Sequence, residues 1–332
     1  MYIISAAAVF QLFLYDILPE LIYGALYRFF IVRGGFYYPD RFDEFHHIMT
    51  DVVMIITTAA ASLITGFFII FCLGRFAAAK PGQSGYGEDP GRILLGRFAL
   101  PKNAPALFAV GLCISQFSLY IYMFADYILY SAFGLDSGIY AYGGDSYFPV
   151  SAAGVILYFI AIVITPAVFE EFIFRYIMLN SLKKYGNVFA ITATSILFGF
   201  AHGRVSAFFY ATAVGFFSAY IAVKTKSIWF PVILHAAVNC ISFFSHYMSD
   251  RLLMEEKTLD IIYFLFLTFI SAVSFIYLLI TASRRRIPLP GEKRVYISNG
   301  RKVFFFFNAA SVIFFIITFI RGAEEYGFSI FR

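Results

Sequence analysis

Charged residues are scarce in this sequence. They make up 14% of the 332 residues, whereas hydrophobic residues make up 61%. Soluble domains contain about 25% charged residues, so a charge content this low excludes an ordinary soluble chain. The sequence contains instead many apolar runs, and a helix of about 20 apolar residues is long enough to cross a bilayer.

The sequence also lacks cysteine motifs and a basic patch. Its three cysteines, Cys72, Cys113 and Cys240, each lie in an apolar run, and without a CxxC spacing they predict no disulfide framework. The formal net charge is +5, but the basic residues flank the apolar runs and do not gather on one face. This pattern favours contact with anionic lipid headgroups, and we expect no nucleic-acid partner.

Eight apolar runs predict transmembrane helices. A ninth stretch, 2–32, is interrupted by Asp16, Pro19 and Glu20, so it can cross the bilayer, lie in the interface or turn back. Because the runs are too long and continuous for barrel strands, we predict an all-α, polytopic transmembrane helical bundle. The eight runs are 52–73, 104–130, 150–182, 188–201, 206–223, 228–247, 261–283 and 303–320.

The positions of Lys and Arg predict which loops face the cytoplasm. The loop 75–103 and the segment after residue 283 are rich in these residues, whereas the loop 131–149 has none. The short connections with Lys183, Lys184, Lys224 and Lys226 are also predicted to be cytoplasmic. We divide the chain into N-terminal membrane helices (1–149, with the cytoplasmic loop 75–103), core helices (150–247) and C-terminal membrane helices (248–332).

Ionisable side chains at bilayer depth are costly and indicate pairing or function. In Glu170-Glu171-xxx-Arg175, the spacing of four residues predicts a helical ion pair between Glu171 and Arg175. Glu170 is rotated by about 100° on the helix and has no evident cation. A carboxylate that is partly desolvated and unpaired is suited to general acid–base chemistry, although the motif is also compatible with a structural clamp.

Two histidine motifs follow on later runs. Phe198 and His202 end the run 188–201, and a helical hairpin turning near residue 186 places His202 at the depth of Glu170. His235 and Asn239 lie four residues apart on one helix face, where two donors can bind an oxyanion or hold helices together.

In this order the three motifs, EExxxR, FxxxH and HxxxN, resemble the signature of the CAAX protease and bacteriocin-processing family, the type II CAAX prenyl endopeptidase-like proteins. The resemblance implies that Glu170 and His202 activate a water molecule and that His235 and Asn239 form the oxyanion site. It implies a supporting role for Glu171, Arg175 and Phe198. The family, once labelled metalloprotease, is regarded as glutamic intramembrane proteases.

We therefore expect an intramembrane endopeptidase without a cofactor, acting on a membrane protein or peptide. The loop-poor sequence favours a bacterial plasma membrane, where prenylated substrates are not expected and bacteriocin immunity is a known role of the family. One alternative is a zinc protease with Glu170, His202 and His235 as ligands, although the sequence has no HExxH. Another is a non-catalytic immunity or scaffold protein, and a proton-coupled transporter is a third. Asp43, Glu44, His46, His47 and Asp51 also form a candidate metal cluster, but a solvated extracytoplasmic segment explains them better.

Overall fold

The structure, a computed structural model, describes residues 2–29, 42–78, 93–134, 148–202, 205–252, 256–282 and 298–324. Within these ranges the backbone is mostly helical, and the one strand-like feature is an isolated bridge between Leu94 and Ser227. The helices are α1 (Tyr2–Tyr27), α2 (Phe42–Ala78), α3 (Ala104–Phe133), α4 (Ala152–Lys183), α5 (Asn187–Ala201), α6 (Val205–Thr225), α7 (Trp229–Leu252), α8 (Glu256–Ala282), α9 (Asn299–Phe307) and α10 (Ala309–Glu324).

The predicted all-α, polytopic membrane fold is confirmed, but the count of eight spans is not. Among the described residues, six helices are long and apolar enough to cross a bilayer, and a seventh span is counted if the bent pair α9 and α10 is taken as one. Helix α1 is among the six, so Pro19 does not prevent a continuous helix. Helix α5 has 15 residues, which extend about 22 Å, less than the hydrocarbon thickness of about 30 Å.

The predicted span 303–320 is broken at Asn308. The two helices on either side differ in direction by 45°. Asn308 is buried, and its Nδ2 donates hydrogen bonds to Ser5 Oγ (3.1 Å) and Ser311 Oγ (2.9 Å). The polar side chains at the break are therefore hydrogen-bonded within the bundle. The bond to Ser5 connects the break to α1.

Helix α4, which carries Glu170 and Glu171, contains two π-helical segments. Its N-terminus is capped by Ser151, whose Oγ accepts a hydrogen bond from the Gly154 amide at 3.1 Å. The second π-helical segment begins directly after Glu171. Because π turns contain an extra residue, they change the direction of the side chains around the two glutamates. The five segments are Ala152–Phe159 (α), Ile160–Ile164 (π), Thr165–Glu171 (α), Phe172–Leu179 (π) and Asn180–Lys183 (α).

Connections predicted to be cytoplasmic lie together at one end of the bundle. Asn180, near the end of α4, donates to the Ile93 carbonyl and accepts from the Ile93 amide, both at 2.9 Å. Ser227, between α6 and α7, donates to the Arg97 carbonyl at 2.6 Å. The segment 93–97 thus bridges the end of α4 and the α6–α7 connection, and the prediction that these connections share a side is confirmed.

Several predicted segments are not described by the structure. Most of the loop 75–103, most of the loop 131–149 and the basic segment after residue 283 lie outside the described residues. The division into the regions 1–149, 150–247 and 248–332 stays a prediction. Within the described helices, α4 packs against α2, α5 and α7, and α1 packs against α2 and α10. Helices from all three regions therefore meet around the core.

Candidate active site

The two adjacent glutamates of α4 have different surroundings. Glu171 is 1% exposed, and its Oε2 lies 3.0 Å from Nε of Arg175, which is also 1% exposed. The predicted ion pair is thereby confirmed. Glu170 is half-buried and forms no hydrogen bond or ion pair within the described residues. Its charge is near enough to interact with Arg175 and with His202.

Phe198 covers the buried guanidinium of Arg175. The Arg175 Cζ atom lies 4.3 Å from the centre of the Phe198 ring, a distance that gives a cation–π interaction. The same ring packs edge-to-face against Phe174 of α4, with centroids 5.0 Å apart. Phe198 therefore fixes the packing of α5 against α4, which accounts for an aromatic residue four positions before His202.

His202 lies at the C-terminal end of α5. Its Nδ1 is 2.8 Å from the Phe198 carbonyl oxygen, which can only accept, so Nδ1 carries a proton. In the neutral imidazole, Nε2 is then left with a lone pair. A helix of 15 residues that begins at the predicted cytoplasmic turn near Gly186 ends before the opposite face of the bilayer, so His202 is predicted to lie at membrane depth. The helix geometry thus places an oriented imidazole beside α4.

Glu170 and His202 line one cavity of about 400 Å³. Both residues therefore contribute to one cavity, and their meeting around a single water molecule stays a prediction. They are joined across the turn at Lys184 to Gly186, where Gly186 has φ of +114°, a conformation that favours glycine. The other lining residues belong to four helices and are Gln11, Tyr15, Pro19, Thr50, Val53, Met54, Thr57, Thr58, Pro166, Phe174 and Ala201.

His235 and Asn239 do not line this cavity. His235 is buried, and its Nδ1 lies 3.1 Å from Oε1 of Glu171. Asn239 is half-buried, and its side chain makes no hydrogen bond within the described part of the chain. The family resemblance implies that these two residues share a site with Glu170 and His202, whereas the cavity is lined by residues of α1, α2, α4 and α5.

Sequence reasoning missed the contribution of α1 and α2. The polar residues Gln11, Tyr15, Thr57 and Thr58 line the cavity together with Glu170. No spacing relates these residues to the three motifs, which begin more than 100 positions later in the sequence. The available signal was a pair of polar side chains, Gln11 and Tyr15, four residues apart in an apolar run.

Sequence reasoning also missed Gly199, which lies at the interface between α5 and α6. A Cβ atom at Gly199 would lie 1.9 Å from Thr212 Oγ1 and 2.9 Å from the Phe208 carbonyl oxygen. The absence of a side chain therefore allows the end of α5 to approach α6 closely, three residues before His202.

The described residues contain no group of three His, Cys, Asp or Glu side chains that could hold a metal ion. The donor set Glu170, His202 and His235 is therefore not assembled around one ion, because His235 contacts Glu171. The candidate cluster between residues 43 and 51 does not form such a group either, and the side chain of Asp43 lies outside the described residues.

Comparisons with known proteins point to one family. Residues 152–241 match the family model described as Rce1-like, type II CAAX prenyl endopeptidase Rce1-like. A relative from Bacillus subtilis (strain 168), named "Putative membrane peptidase YdiL", is 36% identical over 73 residues. These residues are 22% of this chain and 30% of the relative, so the chain matches less than a third of that protein's length. No solved structure matches the chain.

Proposed function

We propose, from the premise that residues 152–241 belong to the CAAX protease and bacteriocin-processing family, that this integral membrane protein is an intramembrane endopeptidase. Its substrate would be a membrane-associated protein or peptide, in a bacterial plasma membrane. The observation that carries the proposal is that Glu170 and His202 line one cavity at the end of a short helix. A carboxylate and an imidazole so placed suit activation of a single water molecule.

Glu170 is proposed as the general base and then as the general acid. It would take a proton from the attacking water as the water oxygen bonds to the scissile carbonyl carbon. It would return this proton to the leaving amine when the carbon–nitrogen bond breaks. Because Glu170 has no ion-pair partner among the described residues, its carboxylate is free for this exchange. His202 is proposed to orient the water through Nε2, since Nδ1 is held by the Phe198 carbonyl.

His235 and Asn239 are proposed to stabilise the oxyanion, as the family resemblance implies. The contact with Glu171 orients His235 with Nδ1 toward that carboxylate, so Nε2 points away from it. An imidazolium at position 235 would offer an Nε2–H donor. Glu171 would then balance part of the charge of both Arg175 and His235. In the structure neither His235 nor Asn239 reaches the cavity, so this role requires a movement of α7 or of its side chains when substrate binds.

Peptide release by the purified protein in lipid tests this function. The substrates are a panel of labelled apolar peptides of about 20 residues, each with a helix-breaking pair at a different depth. The assay compares wild type with Glu170→Ala and His202→Ala, with and without a chelator. We expect chelator-resistant cleavage by wild type and a loss of about 100-fold or more in each variant, the usual contribution of general acid–base catalysis.

Two other results would contradict the proposal. Cleavage that is abolished by the chelator and restored by zinc would indicate a metalloprotease. If wild type and Glu170→Ala are equally inert on every peptide yet confer the same cellular phenotype, the protein is an immunity or scaffold protein that binds a membrane partner.

A further inference from the structure

The part of the cavity wall that α1 and α2 form contains polar side chains from both helices. It includes Gln11 and Tyr15 from α1 and Thr57 and Thr58 from α2. Gln11 and Thr57 are each 3% exposed and Thr58 is 5% exposed. These residues all lie outside the segment 152–241 that matches the family. Their place in the site therefore comes from the structure and not from the comparisons.

Three buried polar atoms on this wall have no hydrogen-bond partner among the described residues. They are Gln11 Nε2, Tyr15 Oη and Thr57 Oγ1. The Tyr15 hydroxyl is near enough to Gln11, Thr58 and Ser62 for weak hydrogen bonds with their side chains, but none of them has the geometry of a full hydrogen bond. A buried polar atom without a partner destabilises a fold, so such atoms in a native protein call for an explanation. Here the side chains that carry these atoms line a cavity, so a small side-chain rotation would bring the atoms to a bound molecule.

The position of these atoms relates them to the reaction. The Tyr15 hydroxyl is near enough to Glu170 to interact with its charge, and both residues line the same cavity. A molecule held by Gln11 and Tyr15 would therefore lie beside the carboxylate of Glu170.

The chemistry of the wall fits the backbone of an unwound peptide. A helix in the membrane has its backbone groups paired internally, and a protease must open that pairing to reach the scissile carbonyl. Each N–H or C=O group freed in this way is costly at membrane depth unless it finds a new partner. Gln11 Nε2 and Tyr15 Oη can donate to peptide carbonyls. The Thr57 hydroxyl can accept from a peptide N–H.

We propose that Gln11, Tyr15 and Thr57 form a subsite that hydrogen-bonds the backbone of an unwound membrane peptide beside Glu170. The subsite rests on the proposed peptidase function. It binds backbone groups, so it recognises the extended state of the peptide more than a particular side chain. It also gives α1 a direct part in substrate binding.

The test compares wild type with Tyr15→Phe and Gln11→Leu, using a peptide that the wild type cleaves. Losing one hydrogen bond to the substrate should raise KM about three- to tenfold, with kcat within about twofold, because the interaction is present before and during the reaction. For Tyr15→Phe the thermal unfolding midpoint should change little, since the Tyr15 hydroxyl has no partner in full hydrogen-bond geometry within the described protein. An apparent KM that does not change in either variant would overturn the subsite.

Tyr158→Phe is the matched control for Tyr15→Phe. The Tyr158 hydroxyl bonds to His246 Nδ1 at 3.2 Å, away from the cavity. This control should lower the unfolding midpoint and leave KM unchanged, the reverse of the result for Tyr15→Phe. If Tyr15→Phe lowers the midpoint as Tyr158→Phe does and leaves KM unchanged, Tyr15 is structural and the proposal is wrong.

A binding measurement separates failure of the subsite from failure of the peptidase. The dissociation constant is measured for one fluorescently labelled peptide of the panel described above. The proteins compared are Glu170→Gln and the Glu170→Gln, Tyr15→Phe double variant, and the measurement does not require either protein to cleave the peptide. Weaker binding by the double variant, by about three- to tenfold, supports the subsite. Equal binding by the two proteins overturns it, whether or not the wild type cleaves peptides.

Discussion

Glu170 and Glu171 are neighbours in sequence, but only Glu171 is paired. Its carboxylate contacts both Arg175 and His235, and it is almost completely buried. Glu170 faces the cavity with no ion-pair partner among the described residues. The two residues therefore have different roles. Glu171 holds the helices together, and Glu170 faces the cavity proposed to bind substrate.

Glu171→Gln should destabilise the protein far more than Glu170→Gln. The first change leaves the buried guanidinium of Arg175 without its counter-ion, which typically costs about 3–5 kcal/mol. The second change removes no ion pair, so we expect a shift of less than about 1 kcal/mol. Unfolding in detergent, followed by a thiol-reactive or intrinsic fluorescence probe, measures both. Equal stability of the two variants would show that the Glu171 ion pair contributes little.

Phe198→Leu should lower both stability and peptide release. The variant loses the cation–π contact with Arg175, worth about 0.5–2 kcal/mol, and the ring that separates α4 from α5. Phe200→Leu is the control, because Phe200 packs against Phe208 and Phe315 away from the ion pair. We expect the control to lose stability but to keep its activity when assayed below its unfolding midpoint. A similar loss of activity in both variants would contradict a specific role for Phe198.

At the scale of helices, the site depends on how closely α5 approaches α6. Gly199 is in contact with α6 through Thr212 and the backbone of Phe208. His202, three residues later, is placed by this contact and by its bond to the Phe198 carbonyl. The glycine in the FGFAH segment is thus a positioning residue for the histidine.

Gly199→Ala should destabilise the protein and reduce activity. The added methyl group is too close to the Phe208 carbonyl oxygen, and overpacking of this kind typically costs about 1–3 kcal/mol. Gly24→Ala is the matched control, since a Cβ at Gly24 has no atom within 4 Å and α1 gains a better helix former. Thermal unfolding and peptide release are measured for both. A Gly199→Ala protein as stable and active as wild type would show that α5 and α6 can separate without affecting His202.

The sequence predicted which motif residues lie near each other better than it predicted the shape of the helices and which helices line the cavity. The spacing of Glu171 and Arg175 predicted their ion pair, and equal distances from a turn predicted that Glu170 and His202 meet. The π-helical segments of α4 had no sequence signal, because they depend on packing against neighbouring helices. The break at Asn308 did have a signal, a single Asn in an apolar run, which hydropathy averaging hides.

For the whole molecule, the hydrogen bonds of Asn180 and Ser227 place the end of α4 and the α6–α7 connection at the same end of the bundle. The distribution of Lys and Arg predicts that this end is cytoplasmic. The site is built from helices of the predicted core and from α1 and α2, so the N-terminal region is part of the proposed enzyme rather than an anchor for it.

Cysteine labelling tests the predicted orientation. In a protein whose three native cysteines are replaced by alanine, Lys184→Cys should react with a membrane-impermeant thiol reagent only after the cells are permeabilised. Ser137→Cys, in the predicted external loop, should react in intact cells. The reverse pattern would show that the positive-inside rule fails for this chain.

Peptide release in lipid by wild type, Glu170→Gln and Glu20→Gln tests the catalytic role of Glu170 most directly. Glu20 is exposed on α1 and undergoes the same isosteric change. At a temperature at which all three proteins are folded, we expect Glu20→Gln to match wild type and Glu170→Gln to lose about 100-fold or more. Release by Glu170→Gln at the wild-type rate would contradict the assignment of Glu170 as the general base.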